Sequence, residues 1–101
     1  MTFFEVIISP RAHSDIADCV SFLLNVSQKA AEELYNKIYD TLDLLSCFPE
    51  KNPVFEMNKA FPQIVRKQII DKRYIALYII EKEKIVVLRV LDSRRKFQSL
   101  L

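Results

Sequence analysis

The side chains best suited to chemistry in this 101-residue chain are cationic or phenolic, and they lie in its second half: Arg66, Lys67, Lys72, Arg73, Tyr74, Tyr78, Arg89, Arg94, Arg95 and Lys96. Arginine forks hold phosphate in a bidentate manner and keep their charge at any physiological pH, while phenol rings offer bases a stacking surface. A sheet carrying both types could bind single-stranded RNA or another polyanion. The same residues have a plainer reading, in which Tyr74 and Tyr78 are packed aromatics and Lys72 and Arg73 form a solvated turn.

Other chemistries lack their residues. The chain has no glycine, which excludes the glycine-dependent phosphate loops, because those need backbone to approach phosphate without an intervening Cβ. There is one histidine, His13, so a two-histidine metal motif cannot form, and Cys19 and Cys47 stand far apart without a CxxC pair. No metal and no cofactor is expected. The serines lie in no nucleophile-elbow or triad pattern, and His13 reads as a solvated helix residue. The apolar runs are too short to cross a bilayer, and Met1 to Ile8 contains Glu5 with no basic stretch before it. A cytoplasmic protein with reduced, packed cysteines is expected.

Charge is divided along the chain. Residues 1–58 carry four basic and nine acidic side chains, and residues 59–101 carry eleven basic and four acidic. The formal net charge of +2 therefore hides an acidic half and a basic half. Such a split points to one layer that meets a polyanion or an acidic partner.

The elements that must position these groups form a single domain over residues 1–101. Residues 3–8 are β-branched and aromatic, as in a strand. Ser9 caps a following helix with Pro10 at its first position, and Asp15 and Asp18 lie toward its positive end. Ala12, Ile16, Val20 and Leu23 recur at helical spacing. Ser27 caps a second helix in which Ala31, Leu34, Ile38, Leu42 and Leu45 keep that period until Phe48 and Pro49. Prolines make residues 48–63 a loop. Three strands follow, 64–70, 74–80 and 85–91, joined so tightly that neighbours must pair antiparallel. The class is α+β in the order β-α-α-β-β-β, with a helical hairpin laid on a mainly antiparallel sheet. Alternation assigns Val86, Leu88 and Val90 to the helices and sends Arg89 to the open face, with Arg66 and Gln68 beside it. The facing of residues 74–80 stays open.

The run Ser9-Pro10-Arg11-Ala12-x-x-Asp15-Ile16, the helical pair, and Tyr74-Ile-Ala-Leu-Tyr78-Ile-Ile followed by Ile85-Val-Val-Leu-Arg89-Val-Leu-Asp92-Ser93-Arg94-Arg95 resemble the RelE/ParE toxin superfamily of bacterial toxin–antitoxin modules. The resemblance covers nearly the whole chain. It implies a growth-inhibiting toxin, as in plasmid stabilisation, silenced by a cognate antitoxin that wraps round it. One branch of the superfamily cuts mRNA on the ribosome without a metal. By resemblance to it, Arg95 falls at a phosphate-binding arginine and Arg89 at an active-site arginine. Two positions of that branch differ here: Ile75 stands where an arginine follows the strand tyrosine, and Asp92 or Ser93 stands in place of a histidine. The other branch poisons DNA gyrase and needs no such constellation, so the departures favour it. In either branch the target-binding or phosphate-binding candidates are Arg66, Lys67, Arg73, Arg89, Arg94, Arg95 and Lys96, with Arg89 and Arg95 catalytic only for a ribonuclease. A third reading is a non-catalytic domain that binds RNA or protein.

Overall fold

The computed structural model describes residues 3–56 and 62–93. Strand β1 (Glu5–Ile8) leads into helix α1 (Pro10–Leu24), then α2 (Gln28–Asp43), two 3₁₀ turns (Leu44–Ser46 and Pro49–Lys51), and strands β2 (Arg66–Asp71), β3 (Tyr74–Glu81) and β4 (Lys84–Asp92). Both helices start where their serines dictate. Ser9 Oγ accepts the Ala12 N–H at 3.1 Å and Ser27 Oγ accepts the Ala30 N–H at 3.2 Å, each satisfying a donor that the first helical turn leaves orphaned. Neither first turn contains an acidic residue, so Asp15 does not serve the α1 dipole as its position suggested. Its carboxylate has another task, described below. After α2, Phe48 takes a left-handed backbone (φ 53°), a conformation that turns the chain sharply into Pro49.

The sheet order is β1-β4-β3-β2, with β1 parallel to β4 and the other two pairings antiparallel. This is the expected α+β arrangement. The helices cover one face. Ala12, Ile16, Leu34, Ile38, Leu42 and Leu45 pack against Ile70, Tyr74, Ala76, Tyr78, Ile85, Val87 and Val90. Burying each of the larger aliphatic side chains contributes on the order of 1.5–3 kcal/mol, so this layer supplies much of the stability. Residues 74–80 are now assigned: Tyr74, Ala76 and Tyr78 face the helices, and Ile75, Leu77 and Ile79 face away, where Val65, Leu91, Phe55, Val86 and Leu88 join them. Among the described residues the centre of the second face is an apolar cluster.

Two strand facings differ from the alternation. In β4, Val86 and Leu88 lie on the second face, while Ile85 and Val87 join Val90 on the helix side. The cause is an irregularity in the pairing: Leu77 opposes Arg89 but Tyr78 opposes Val87, so β4 has one extra residue at Leu88. A bulge resets the inward and outward parity of everything beyond it. In β2, Arg66 pairs with Tyr78 and Gln68 with Ala76, which puts both on the helix side of the sheet and leaves Lys67, opposite Leu77, on the second face. Opposed residues of an antiparallel pair share a face, so the facing of β2 follows from that of β3.

Candidate functional site

At the bulge, β1 has already ended, because its last pairing is Ile8 with Val87. The β4 edge beyond that point would be bare, and α1 closes it. The Ser9 N–H donates to the Val87 carbonyl, and Ser9 Oγ, besides capping the helix, donates to the Leu88 carbonyl at 3.1 Å. Asp15, one and a half turns further on, accepts the Val90 N–H at 3.0 Å. Its two oxygens also receive Arg89, from Nε at 2.7 Å and from Nη2 at 3.1 Å. Both side chains are only 11% exposed. A bidentate, charge-assisted pair of this kind fixes the guanidinium in orientation as well as position. Arg89 opposes Leu77 and so starts from the second face, but its guanidinium is not left open there: the fork reaches Asp15 on the helix.

Arg66 is likewise engaged. Its Nη1 donates to the carbonyls of Glu50 and Asn52, at 3.2 and 2.7 Å. The loop it grips is also held by Asn52, whose amide donates to Gln68 Oε1 at 2.8 Å and to the Tyr78 hydroxyl at 3.0 Å. That hydroxyl in turn donates to the Pro49 carbonyl. Tyr78 is thus a packed aromatic with a satisfied polar tip rather than a stacking platform. Burial pushes its phenol above the ordinary value of 10, although the Asn52 bond and the Arg66 charge pull the other way.

Of the remaining predicted residues, Arg73 is exposed in the β2–β3 turn, where its carbonyl accepts the Ser93 N–H. The Ser93 hydroxyl donates to the neighbouring Lys72 carbonyl at 3.2 Å. The turn carrying Lys72 and Arg73 is thereby tied to the end of β4, immediately before Arg94, Arg95 and Lys96, which lie outside the described residues. Arg66, Lys67 and Arg89 are not drawn together: Arg89 is held to α1, Arg66 to the loop before β2, and Lys67 stands on the second face of the sheet.

Sequence reasoning missed the roles of Asp15 and Asn52. Asp15 sits in the Ser-Pro-Arg-Ala-x-x-Asp run, but nothing local indicates a partner 74 residues away. His13, read as solvated, has its Nδ1 3.4 Å from the Tyr39 hydroxyl, and the Tyr39 ring lies 4.8 Å from that of Tyr35. Burial, with a smaller push from Tyr35, raises the Tyr39 phenol above 10. Among the described residues no group of three or more His, Cys, Asp or Glu stands ready for a metal ion, and no helix is long and apolar enough to cross a membrane.

The family described as the ParE toxin of the type II toxin–antitoxin system parDE matches residues 6–97 of this chain. Its fold is shared with solved structures at low identity. A chain of the chromosomal ParDE system from P. aeruginosa superposes with a TM-score of 0.72 at 13% identity, covering 89% of this chain and 96% of that one. The conserved protein HP0894 from Helicobacter pylori gives 0.60 at 16%, covering 91% and 97%. A copper-bound mutant toxin from Helicobacter pylori gives 0.56 at 15%, covering 93% and 99%. No curated protein matches in sequence.

Proposed function

Because the chain belongs to the ParE toxin family of type II toxin–antitoxin systems, we propose that it inhibits growth by poisoning DNA gyrase and that its cognate antitoxin silences it in the cytoplasm. The observation that carries the choice of target is the Arg89–Asp15 pair. A ribonuclease of this superfamily needs cations free to steady the charge that develops on phosphorus as the 2′-OH attacks, and removing one such group costs orders of magnitude in rate. Here Arg89, one of the two candidates for that task, has its fork on Asp15 at 2.7 Å and is largely buried. Phosphate would have to displace a carboxylate already in bidentate geometry. Ile75 contributes an apolar side chain to the second face of the sheet, where the ribonuclease branch has an arginine. Ser93 is bonded to a backbone carbonyl and offers no imidazole for proton transfer.

On this reading the cations that meet the target are Arg73, in the turn tied to the end of β4, and Arg94, Arg95 and Lys96, which follow that strand in the sequence. Induction of the protein alone should arrest growth, and purified protein should inhibit supercoiling or trap cleaved DNA in a reaction with gyrase. Unimpaired supercoiling, together with cleavage of ribosome-bound message, would replace this reading with the ribonuclease one. Normal growth of cells containing soluble protein would remove both.

A further inference from the structure

Two residues that bend the backbone into the left-handed region meet at one end of the sheet. Among the described residues only Phe48 (φ 53°) and Lys82 (φ 58°) hold a positive φ. Neither type suits it, because a Cβ crowds the following carbonyl there and asparagine, aspartate or glycine is the usual occupant. The start of β1 links them. The Phe4 N–H donates to the Ser46 carbonyl, two residues before Phe48, and the Glu5 N–H donates to the Glu83 carbonyl, next to Lys82. Such outliers gather where a site needs the side chain they carry. What these two carry is exposed. The Phe48 ring is 67% open to solvent, and Phe3 and Leu44, 62% and 70% exposed, flank the Phe4–Ser46 bond. Two residues on from Phe48, Glu50 borders a hollow of about 360 Å³ with Ile64 and Ile80 as its apolar walls. Beyond Ile80 comes the β3–β4 turn, Glu81-Lys82-Glu83-Lys84, exposed at all four positions and without a salt bridge to any described residue. Apolar exposure this concentrated, rimmed by charge, marks an interaction surface.

We propose that this end of the sheet is where two copies of the chain pair about a twofold axis. An isologous contact sets a patch against itself, so each copy must offer both halves of every interaction. This one does. An aromatic anchor, Phe48, and an apolar-walled hollow bordered by Glu50 stand side by side, so each ring enters the other copy's hollow. The turn alternates in sign, and two such turns laid antiparallel set Glu81 against Lys84 of the second copy and Lys82 against its Glu83. Every position then meets its opposite, whereas a foreign partner of either sign would meet as much repulsion as attraction there. Residues 3–5, 44–50 and 81–84 supply about 14 residues a side, short of the 20–30 of a standard interface, so the pairing is weak, with Kd about 10–100 μM. β3 runs from Tyr74 to Glu81, about 26 Å at 3.3 Å per residue, and so separates this end from the turn bearing Arg73. Pairing leaves that turn free, and the inference holds whichever target the toxin has.

The test is sedimentation velocity on the purified full chain from about 5 to 500 μM, over which mass action should carry it from monomer to dimer. The mass should rise from 11.9 kDa toward twice that value. Phe48→Asn removes the anchor and suits the left-handed backbone. It should weaken pairing at least about tenfold while leaving the urea midpoint at 5 μM no lower than before, a combination that lost packing within one chain does not give. Should Phe48→Asn fail to fold, Phe3→Ser, at an exposed position ahead of β1, should weaken pairing about fivefold. Lys82→Glu with Lys84→Glu, and separately Glu81→Lys with Glu83→Lys, should each stay monomeric throughout, while an equimolar mixture of the two folded variants restores pairing. A single-chain mass at every concentration, undiminished pairing in Phe48→Asn, or no pairing in the mixture would each overturn the proposal. So would amide shifts on dilution that map to the outer face of the hairpin instead of residues 44–50 and 81–84.

Discussion

The sheet and the helical hairpin divide their side chains in opposite ways. The sheet has the basic strands, yet it turns two of its arginines toward structural partners: Arg89 to Asp15 and Arg66 to the carbonyls of Glu50 and Asn52. The hairpin is the acidic part, yet it leaves Phe22, Leu24, Val26 and Tyr35 half-exposed or more. A charged layer is therefore not the same thing as a charged surface. Arginine does as much by satisfying backbone and carboxylate groups where strands end as by meeting a ligand, and the groups it satisfies are set by topology rather than by local sequence.

The sharpest way to break this contrast is to separate Arg89 from Asp15. Removing one member of a largely buried ion pair strands the other, which costs about 3–5 kcal/mol. Arg89→Ala should destabilise the fold by about 3 kcal/mol in urea unfolding, and Asp15→Ala by at least as much, because it also frees the Val90 N–H. The double variant should lose less than the two singles combined. If Arg89 acted on a target instead, Arg89→Ala would relieve growth arrest in cells at unchanged stability while Asp15→Ala would preserve it.

A smaller loss is expected at Tyr78, which joins the sheet to the loop before β2. Tyr78→Phe removes a donor to Pro49 and an acceptor for Asn52, at a cost of about 1–3 kcal/mol. The same residue gives a pH signature. With its phenol held above 10 in the folded protein, the folded state keeps a proton that the unfolded chain releases, so stability is full below pH 10 and declines as pH rises through the interval between the two values. The decline should be shallower in Tyr78→Phe, as measured by unfolding midpoints from pH 8 to 11. A loss of about 1 kcal/mol is expected for Ser9→Ala, which takes away the α1 cap and leaves the Leu88 carbonyl without its donor.

The elements were legible because their signals are local. Ser9-Pro10 and Ser27 start the helices where caps belong, and the three- and four-residue recurrence from Ala31 to Leu45 marks the buried stripe. The strand facings were not, because a single extra residue at Leu88 inverts the alternation on which they rested, and no glycine or proline marks the spot. Arg89 lies beyond that inversion, opposite Leu77, and is drawn from the expected open face by its fork, which reaches Asp15 on α1. Arg66 faces the helix side for a separate reason: its facing follows from pairing with Tyr78, and β3 is apolar at nearly every position, so its alternation points both ways. Of the candidate cations, Arg73 stands in an exposed turn as its neighbours implied.

The smallest effect should come from the hairpin, and its smallness is the point. Phe22 is a large apolar residue 67% exposed on α1, so replacing it with serine uncovers no cavity and strands no polar group. Phe22→Ser should change unfolding free energy by no more than about 0.5 kcal/mol, within the range of ordinary surface substitutions. A core phenylalanine would cost several times that. Were the loss in urea unfolding to reach about 2 kcal/mol, Phe22 would be packed in solution, the hairpin would not be the exposed apolar surface described, and the contrast with the sheet would fail from that side. A negligible loss, paired with the large one at Arg89, means that the basic strands hold the protein together while the acidic hairpin keeps its apolar side chains available.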